Sequence, residues 1–264
     1  MNDLQMMQEK SVLRWGGLAG ILGGLLLIVV FVVVGVFVGA NPAEPEVFPD
    51  IRAARTVENS LYLAVLVLWV IHFLALYRAL HRTSLAPALF GSAMGVLGLG
   101  VVAAGAIPHI VTARISDLYQ APGATAEDQA NLVLVFEATH AVFEALLITG
   151  LAILPACLVV LGVAMAGSPA FGKRFGAVSA ALGVAGGVAV GVTVIDPASS
   201  PLLAICMFSL MIFHLVLGWK LYRLSRNPAS ILEDRGYTGN GVRAESDFSS
   251  TEPINVVRQS RETP

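Results

Sequence analysis

The sequence predicts an all-α protein, a polytopic transmembrane bundle of six helices. Hydrophobic residues make up 56% of the 264 residues and charged residues only 13%, about half the charged share of a soluble domain. The apolar residues form runs of about 20, the length that a helix needs to cross a bilayer. The runs lack the alternation of a membrane β-barrel. With a net charge of −2 and no basic stripe, nucleic acid is not an expected partner.

Six segments have the required length, and each is expected to be a helix because backbone polar groups in lipid must be satisfied internally. The first is too long for the apolar region of a signal peptide and is interpreted as a retained helix. Pro155 lies inside the fourth and is expected to kink it. The segments cover approximately 15–39, 59–80, 88–107, a stretch within 132–165, 175–195 and 202–222.

The distribution of Lys and Arg predicts the orientation, because these residues concentrate in cytoplasmic connections. Nine lie on one side of the six spans and three on the other, which places both termini in the cytoplasm. Residues 1–14 are then a cytoplasmic segment, 15–226 the transmembrane domain, and 227–264 a polar, mostly disordered cytoplasmic tail. The nine are Lys10, Arg14, Arg78, Arg82, Lys173, Arg174, Lys220, Arg223 and Arg226, and the three are Arg52, Arg55 and Arg114.

Glycines recur at four-residue spacing in spans one, three and five. Small residues at this spacing let membrane helices approach closely, although glycine is also generally common in such helices. We therefore expect these spans to pack tightly, either within one bundle or between two copies of the chain. The predicted packing residues are Gly16, Gly20, Gly24, Gly91, Gly95, Gly183, Gly187 and Gly191.

The even spans carry the ionisable residues, which are costly at membrane depth and therefore mark candidate functional positions. In span four, Glu137, His140 and Glu144 share one helix face. Three interpretations are open: a solvated turn at the outer membrane edge, a proton or cation site, or a transition-metal site. A metal would need further ligands, for which His109 is a candidate because it lies on the same side.

Spans two and six each carry one histidine at about the same depth, His72 and His214. Hydrogen-bonded core histidines, coupled protonation along a transport path and axial ligation of one haem b are all compatible with this pattern. The sequence alone gives no firm cofactor. It also contains no P-loop, dinucleotide-binding glycine motif, H-E-x-x-H, G-x-S-x-G or C-x-x-C, so no catalytic residue is assigned.

From span four onward the chain resembles a bacterial family of six-span membrane proteins that is known only as a domain of unknown function. The resemblance lies in His140-x-x-x-Glu144-Ala-Leu-Leu-Ile-Thr-Gly150, Leu161-Gly162, Ser168-Pro169 and Phe175-Gly176, and in Arg14-x-x-Gly17 and Ala75-Leu76-Tyr77-Arg78 nearer the start. It covers residues 10–225 approximately. The resemblance implies the six-helix architecture and no activity. The excess of Arg over Lys is typical of GC-rich bacteria.

The first functional hypothesis is a small permease or proton-coupled transport protein of the bacterial inner membrane. Its path would use His72, Glu137, His140, Glu144 and His214. The alternatives are a membrane redox protein that binds haem or a metal, and a non-catalytic subunit or sensor partner that acts through its glycine faces and its tail.

Overall fold

The computed structural model describes residues 3–38 and 44–226, apart from the side chains of residues 3–6 and 109; the predicted tail, 227–264, lies outside the described residues. The described part contains only helices and turns. Its α-helices are α1 (Asp3–Val33), α2 (Phe48–Leu80), α3 (Leu85–Ala104), α4 (Ala106–Tyr119), α5 (Ala126–Ala166), α6 (Gly172–Ile195) and α7 (Leu203–Arg226). A π-helical turn, Val34–Val38, extends α1, and a 3₁₀ turn, Pro197–Leu202, leads into α7.

The prediction of six long apolar helices is confirmed. Each predicted segment falls in a helix that is long and apolar enough to cross a membrane. The helix α4 was not predicted, because residues 108–119 mix polar and apolar side chains and were interpreted as part of a loop. Its Ile115 packs with Phe48 of α2 and Phe136 of α5 in a small apolar cluster, which fixes α4 across the ends of those two helices.

The start of α2 also differs from the prediction, because the helix begins before the predicted span. Pro49 lies in the first turn of α2, where proline is well tolerated because its missing N–H would have no helical partner. The helix therefore starts at Phe48, about ten residues before the predicted span. Its early part joins α4 and the start of α5 in a layer at one end of the bundle.

The bundle consists of two groups of three helices. In the first group α1 packs between α2 and α7, and in the second α5 packs between α3 and α6. Contacts of α6 with α7 and of α2 with α3 join the two groups. One apolar core, which includes Leu27, Phe73, Leu154 and Phe213, runs through both.

The chain runs up and down, so the two ends of the bundle have different contents. One end holds the start of α1, the end of α7 and the short α2–α3 and α5–α6 turns; we call it the termini end. There Glu9 of α1 pairs with Arg82 and lies 3.9 Å from Arg78, which anchors α1 beside the α2–α3 turn. The other end, called the α4 end, holds α4 and the turn before α7.

Candidate functional site: a buried histidine pair below a cavity

The structure brings the two histidines of α2 and α7 into contact. His72 and His214 are both fully buried, and their ring centroids lie 5.0 Å apart with an interplanar angle of 64°. The two histidines, which the sequence predicts at equal depth, are thus direct neighbours in the fold. The pair lies in the first helix group, between α1, α2 and α7.

Aromatic rings enclose the pair. Trp69 stacks on His214 with centroids 4.0 Å apart and planes 9° from parallel. Phe73 meets the same imidazole edge to face at 5.0 Å, and Phe213 lies 6.4 Å from His72. Within the described residues neither imidazole has an ion pair or a charged hydrogen-bond partner. A charge placed here would therefore have no opposite charge to offset its desolvation.

Hydrogen bonding in this cluster is incomplete. His72 Nδ1 lies 2.9 Å from the carbonyl oxygen of Gly16; because a carbonyl only accepts, Nδ1 carries the hydrogen and Nε2 presents a bare lone pair. That Nε2, both nitrogens of His214 and Nε1 of Trp69 have no partner among the described residues. An unsatisfied buried polar atom costs about 1–3 kcal/mol. Four such atoms in one cluster would gain a partner from the polar group of a ligand, whereas a proton taken up here would destabilise the present arrangement.

Glycines of α1 make room for these rings. A Cβ on Gly20 would lie 2.4 Å from His72 Nδ1 and 2.9 Å from the carbonyl oxygen of His214. A Cβ on Gly23 would lie 2.6 Å from Trp69 Nε1. Only a residue without a side chain fits at either position. The glycine pattern of the first span is thus part of the histidine site as well as a packing device.

The other glycines of the predicted packing set fall into two classes. A Cβ on Gly16, Gly24, Gly91, Gly95 or Gly183 would come within 3.0 Å of a neighbouring helix, whereas Gly187 has only ordinary contact and Gly191 has nothing within 4 Å. Close approach therefore occurs inside the bundle. Pairing of two copies through a glycine face stays a prediction.

A cavity of about 340 Å³ opens at the α4 end between α1, α2, α5 and α7. Its walls are mainly apolar, with Leu27, Phe143, Leu151 and Met207 among them. Polar groups gather on the α2 side: Glu58, Asn59 and Tyr62. Glu58 is held by Arg55 at 2.8 Å, and both side chains are mostly covered. The cavity suits an elongated apolar molecule with one small polar group.

One face of α2 connects the cavity to the histidine pair. Glu58, Tyr62, Trp69 and His72 follow each other at helical spacing, so they lie along one side of the helix. On α1 the cavity wall residue Leu27 is one turn, about 6 Å, from Gly23, which faces Trp69. The cavity therefore ends about one helical turn above the aromatic cluster.

Sequence reasoning missed Glu58, Tyr62 and Trp69 as site residues. Their spacing on α2 was a usable pattern, because it puts a carboxylate, a phenol, an indole and an imidazole on a single face. No sequence pattern marks Met207 and Phe143 as cavity-lining residues, since both are ordinary apolar residues of a span.

The predicted Glu/His face of α5 lies elsewhere. Glu137 and Glu144 are exposed, and His140 is half-buried with its Nε2 3.4 Å from a carboxylate oxygen of Glu144. The side chain of His109 lies outside the described residues. Among those that are described, no three His, Cys, Asp or Glu side chains come close enough to hold a metal ion. No contact within the described residues joins this face to the histidine pair, and their use in one path stays a prediction.

Comparisons of the chain with protein-family models, with curated proteins and with solved structures gave no match. The likeness to a six-span bacterial family therefore stays an interpretation of the sequence. Function has to be inferred from the geometry of the chain's own residues.

Proposed function

We propose that the chain is a multi-pass protein of the bacterial inner membrane that binds an amphipathic small molecule in the α4-end cavity and couples its transport to protonation of His72 and His214. The observation that carries the proposal is the single face of α2 on which Glu58 and Tyr62 at the cavity continue into Trp69 and His72. A ligand-sized space and a titratable pair are adjacent along one helix.

The outer surface of the bundle supports a membrane location. Large apolar side chains are exposed along α1, α2, α6 and α7, among them Val32, Leu74, Val188 and Phe208. Soluble monomers rarely expose contiguous apolar surface of this extent. Six apolar helices with such a surface fit a lipid environment.

Charge at the two ends supports cytoplasmic termini. The nine basic residues that the sequence assigned to the inner side belong to the termini end of the bundle. Within the described residues the α4 end holds only three, Arg52, Arg55 and Arg114. The positive-inside rule then places the termini end in the cytoplasm and the cavity on the outer side.

The packing below the histidines supports a closed inner side. Leu76, Leu80 and Leu221 are fully buried there, and α1 and α7 approach closely at Gly17 and Gly218, where a Cβ on either would meet the other helix's backbone at 2.8 Å or less. The structure has the form expected for one state of a transport cycle, with access from the α4 end and a seal around the histidine pair.

Protonation is the proposed trigger because a cation in this aromatic cluster would lack a partner. Its desolvation would favour a second arrangement of α1 and α7 in which the imidazoles meet water or the ligand's polar group. Haem b is less well supported as a second function. Both imidazoles would have to separate from their present edge-to-face contact to admit a macrocycle between them.

Binding of a neutral amphipathic fluorophore, N-phenyl-1-naphthylamine, to nanodisc-embedded protein tests the cavity. We expect saturable binding above that of empty nanodiscs. Ala204→Phe, which fills the cavity wall on α7, should abolish the saturable part. Ala185→Phe, on the exposed side of α6, is the matched control and should bind normally. Equal binding by both variants would mean that the probe dissolves only in lipid.

The coupling is tested with Trp69 as the reporter. The other two tryptophans, Trp15 and Trp219, are exposed, so a Trp15→Phe/Trp219→Phe protein emits from Trp69 alone. Because burial opposes charging of the imidazoles, acidification from about pH 8 to about pH 4 should quench this emission, since an imidazolium stacked on indole is a quencher, and bound probe should shift the midpoint. The additional change His214→Gln should remove both responses. A midpoint that the probe leaves unmoved would contradict coupling.

A further inference from the structure

A second cavity, of about 500 Å³, opens at the termini end between the first turns of α1 and the last turns of α7. Its lining contains three cations, Lys10 and Arg14 from α1 and Arg226 from α7, together with the hydroxyl-bearing Ser225 and Tyr222. It lies at the opposite end of the bundle from the proposed transport cavity. Nothing in the proposed transport mechanism uses it.

The cations of this cavity are not neutralised within the described residues. Lys10 and Arg14 have no ion pair there, although the neighbouring residue on α1, Glu9, has two basic partners. Glu9 faces the α2–α3 turn, whereas Lys10 and Arg14 face α7. Near the start of α1, the acidic Glu9 therefore lies on the side of the α2–α3 turn, and the charged side chains described on the side of α7 are both positive.

The third cation has a fixed position. Arg226 donates a hydrogen bond of 2.8 Å to the hydroxyl of Tyr222, and its guanidinium lies 4.8 Å from the centre of that ring. A guanidinium held in this way loses little entropy when it binds an anion, and its donors match the oxygens of a phosphate group. The cavity is therefore a preformed anion site with donors from two helices.

Two exposed tryptophans indicate the level of the bilayer at which the cavity lies. Trp15 lines it and Trp219 lies one turn from Tyr222 on α7, with exposed fractions of 66% and 57%. Exposed tryptophan collects at the level of lipid headgroups. In the proposed orientation the cavity opens at the cytoplasmic headgroup layer, where anionic lipids are abundant.

We infer that Lys10, Arg14 and Arg226 bind the phosphate group of an anionic phospholipid and that this lipid holds α1 against α7. Of the proposed function, the inference uses only the membrane location and the orientation of the bundle. Phosphate is the recognised chemistry, and the lipid is its source because Trp15 offers the acyl region an aromatic surface beside the three cations. Free inorganic phosphate is the competing source that the experiment must separate.

Native mass spectrometry of the detergent-purified full chain tests the site with phosphatidylglycerol and with phosphatidylcholine. We expect one phosphatidylglycerol to be retained in preference to phosphatidylcholine. Lys10→Gln/Arg14→Gln should weaken retention about thirtyfold, since each basic residue near anionic lipid contributes about fivefold. The matched control is Lys173→Gln/Arg174→Gln, an exposed pair at the same end but outside the cavity, which should retain the lipid.

Two further measurements separate a lipid site from a free-anion site and from a folding defect. Inorganic phosphate at equal phosphate concentration should neither bind nor displace the lipid; displacement would assign the site to a free anion instead. Arg226→Gln, at the end of α7, leaves the α1 contacts intact and should weaken retention severalfold even where the double variant fails to fold. Equal losses in the cavity variants and the control pair would overturn the inference, because they would show general attraction to a basic end.

Discussion

The two helix groups of the bundle use glycine for different purposes. In the α3/α5/α6 group, glycine brings backbone against backbone: a Cβ on Gly162 would lie 2.7 Å from the carbonyl oxygen of Gly176, and one on Gly183 would lie 2.5 Å from that of Pro155. The α1/α2/α7 group has one such backbone contact, between Gly17 and Gly218, and also a use that the other group lacks: Gly20 and Gly23 face the polar rings of His72 and Trp69.

The difference shows that a small-residue pattern has no single meaning. Backbone contact stabilises a helix pair through close packing over a long interface. Space for a ring instead lets a polar side chain enter the core, at the expense of unsatisfied nitrogens. The α3/α5/α6 group is therefore the rigid group of the molecule, and the α1/α2/α7 group holds the strained site.

The largest effect is expected in the rigid group. Gly162→Ala would drive a methyl group into backbone atoms of α6, at 2.7 Å from Gly176 and 2.9 Å from Ala180. Since neither backbone can yield alone, α5 and α6 must separate, and we expect a loss of about 3 kcal/mol of unfolding free energy. Denaturation in mixed micelles, followed by tryptophan emission, measures it.

Gly191→Ala is the control for that change, because nothing lies within 4 Å of its Cβ position. Alanine should be neutral there or should stabilise α6 by up to about 1 kcal/mol, since it lowers the conformational entropy of the unfolded chain. If both alanines proved equally harmless, the α5–α6 backbone contact would be looser than the structure shows.

A smaller loss, about 2 kcal/mol, is expected for Gly20→Ala in the other group. Its methyl group meets the ring of His72 at 2.4 Å and the carbonyl oxygen of His214 at 2.9 Å, and the closer of these two contacts is relieved when the ring tilts. The tilt should break the hydrogen bond from His72 to Gly16 and shift the emission of Trp69. Gly24→Ala, one turn away, meets only the end of the Leu215 side chain at 2.6 Å and should leave the emission unchanged.

His214→Phe should change stability in the opposite direction. Phenylalanine keeps the stack on Trp69, at 4.0 Å in the native chain, and removes two buried nitrogens without partners. Replacing an unsatisfied polar group by an apolar one of similar shape should raise the unfolding free energy by about 1 kcal/mol, while the acid quenching of Trp69 disappears. A variant that was clearly destabilised would show that these nitrogens have partners in the membrane.

Most of the architecture could be predicted from the sequence, because the length and the apolar composition of membrane helices identify them. The six helices are examples, and so is the equal depth of His72 and His214. The contacts of those histidines did not follow, because the partners that define the site, Trp69 and the backbone at Gly16, depend on how three helices rotate about their axes. A shared path for the Glu/His face of α5 and the two histidines stays a prediction.

The smallest loss of unfolding free energy is expected for a single hydrogen bond in the rigid group. Ser179 of α6 donates a hydrogen bond of 2.7 Å to the carbonyl oxygen of Leu158 on α5 and is buried. Hydrogen bonds between membrane helices contribute only about 0.6 kcal/mol on average, and that carbonyl belongs to a helix whose own bonding remains. We therefore expect Ser179→Ala to lower the unfolding free energy by about this amount, in the same mixed-micelle titration that serves for Gly162→Ala. A loss as large as that of Gly162→Ala would mean that hydrogen bonding, rather than close backbone packing, holds α5 and α6 together, and the contrast between the two glycine uses would then fail on its rigid side.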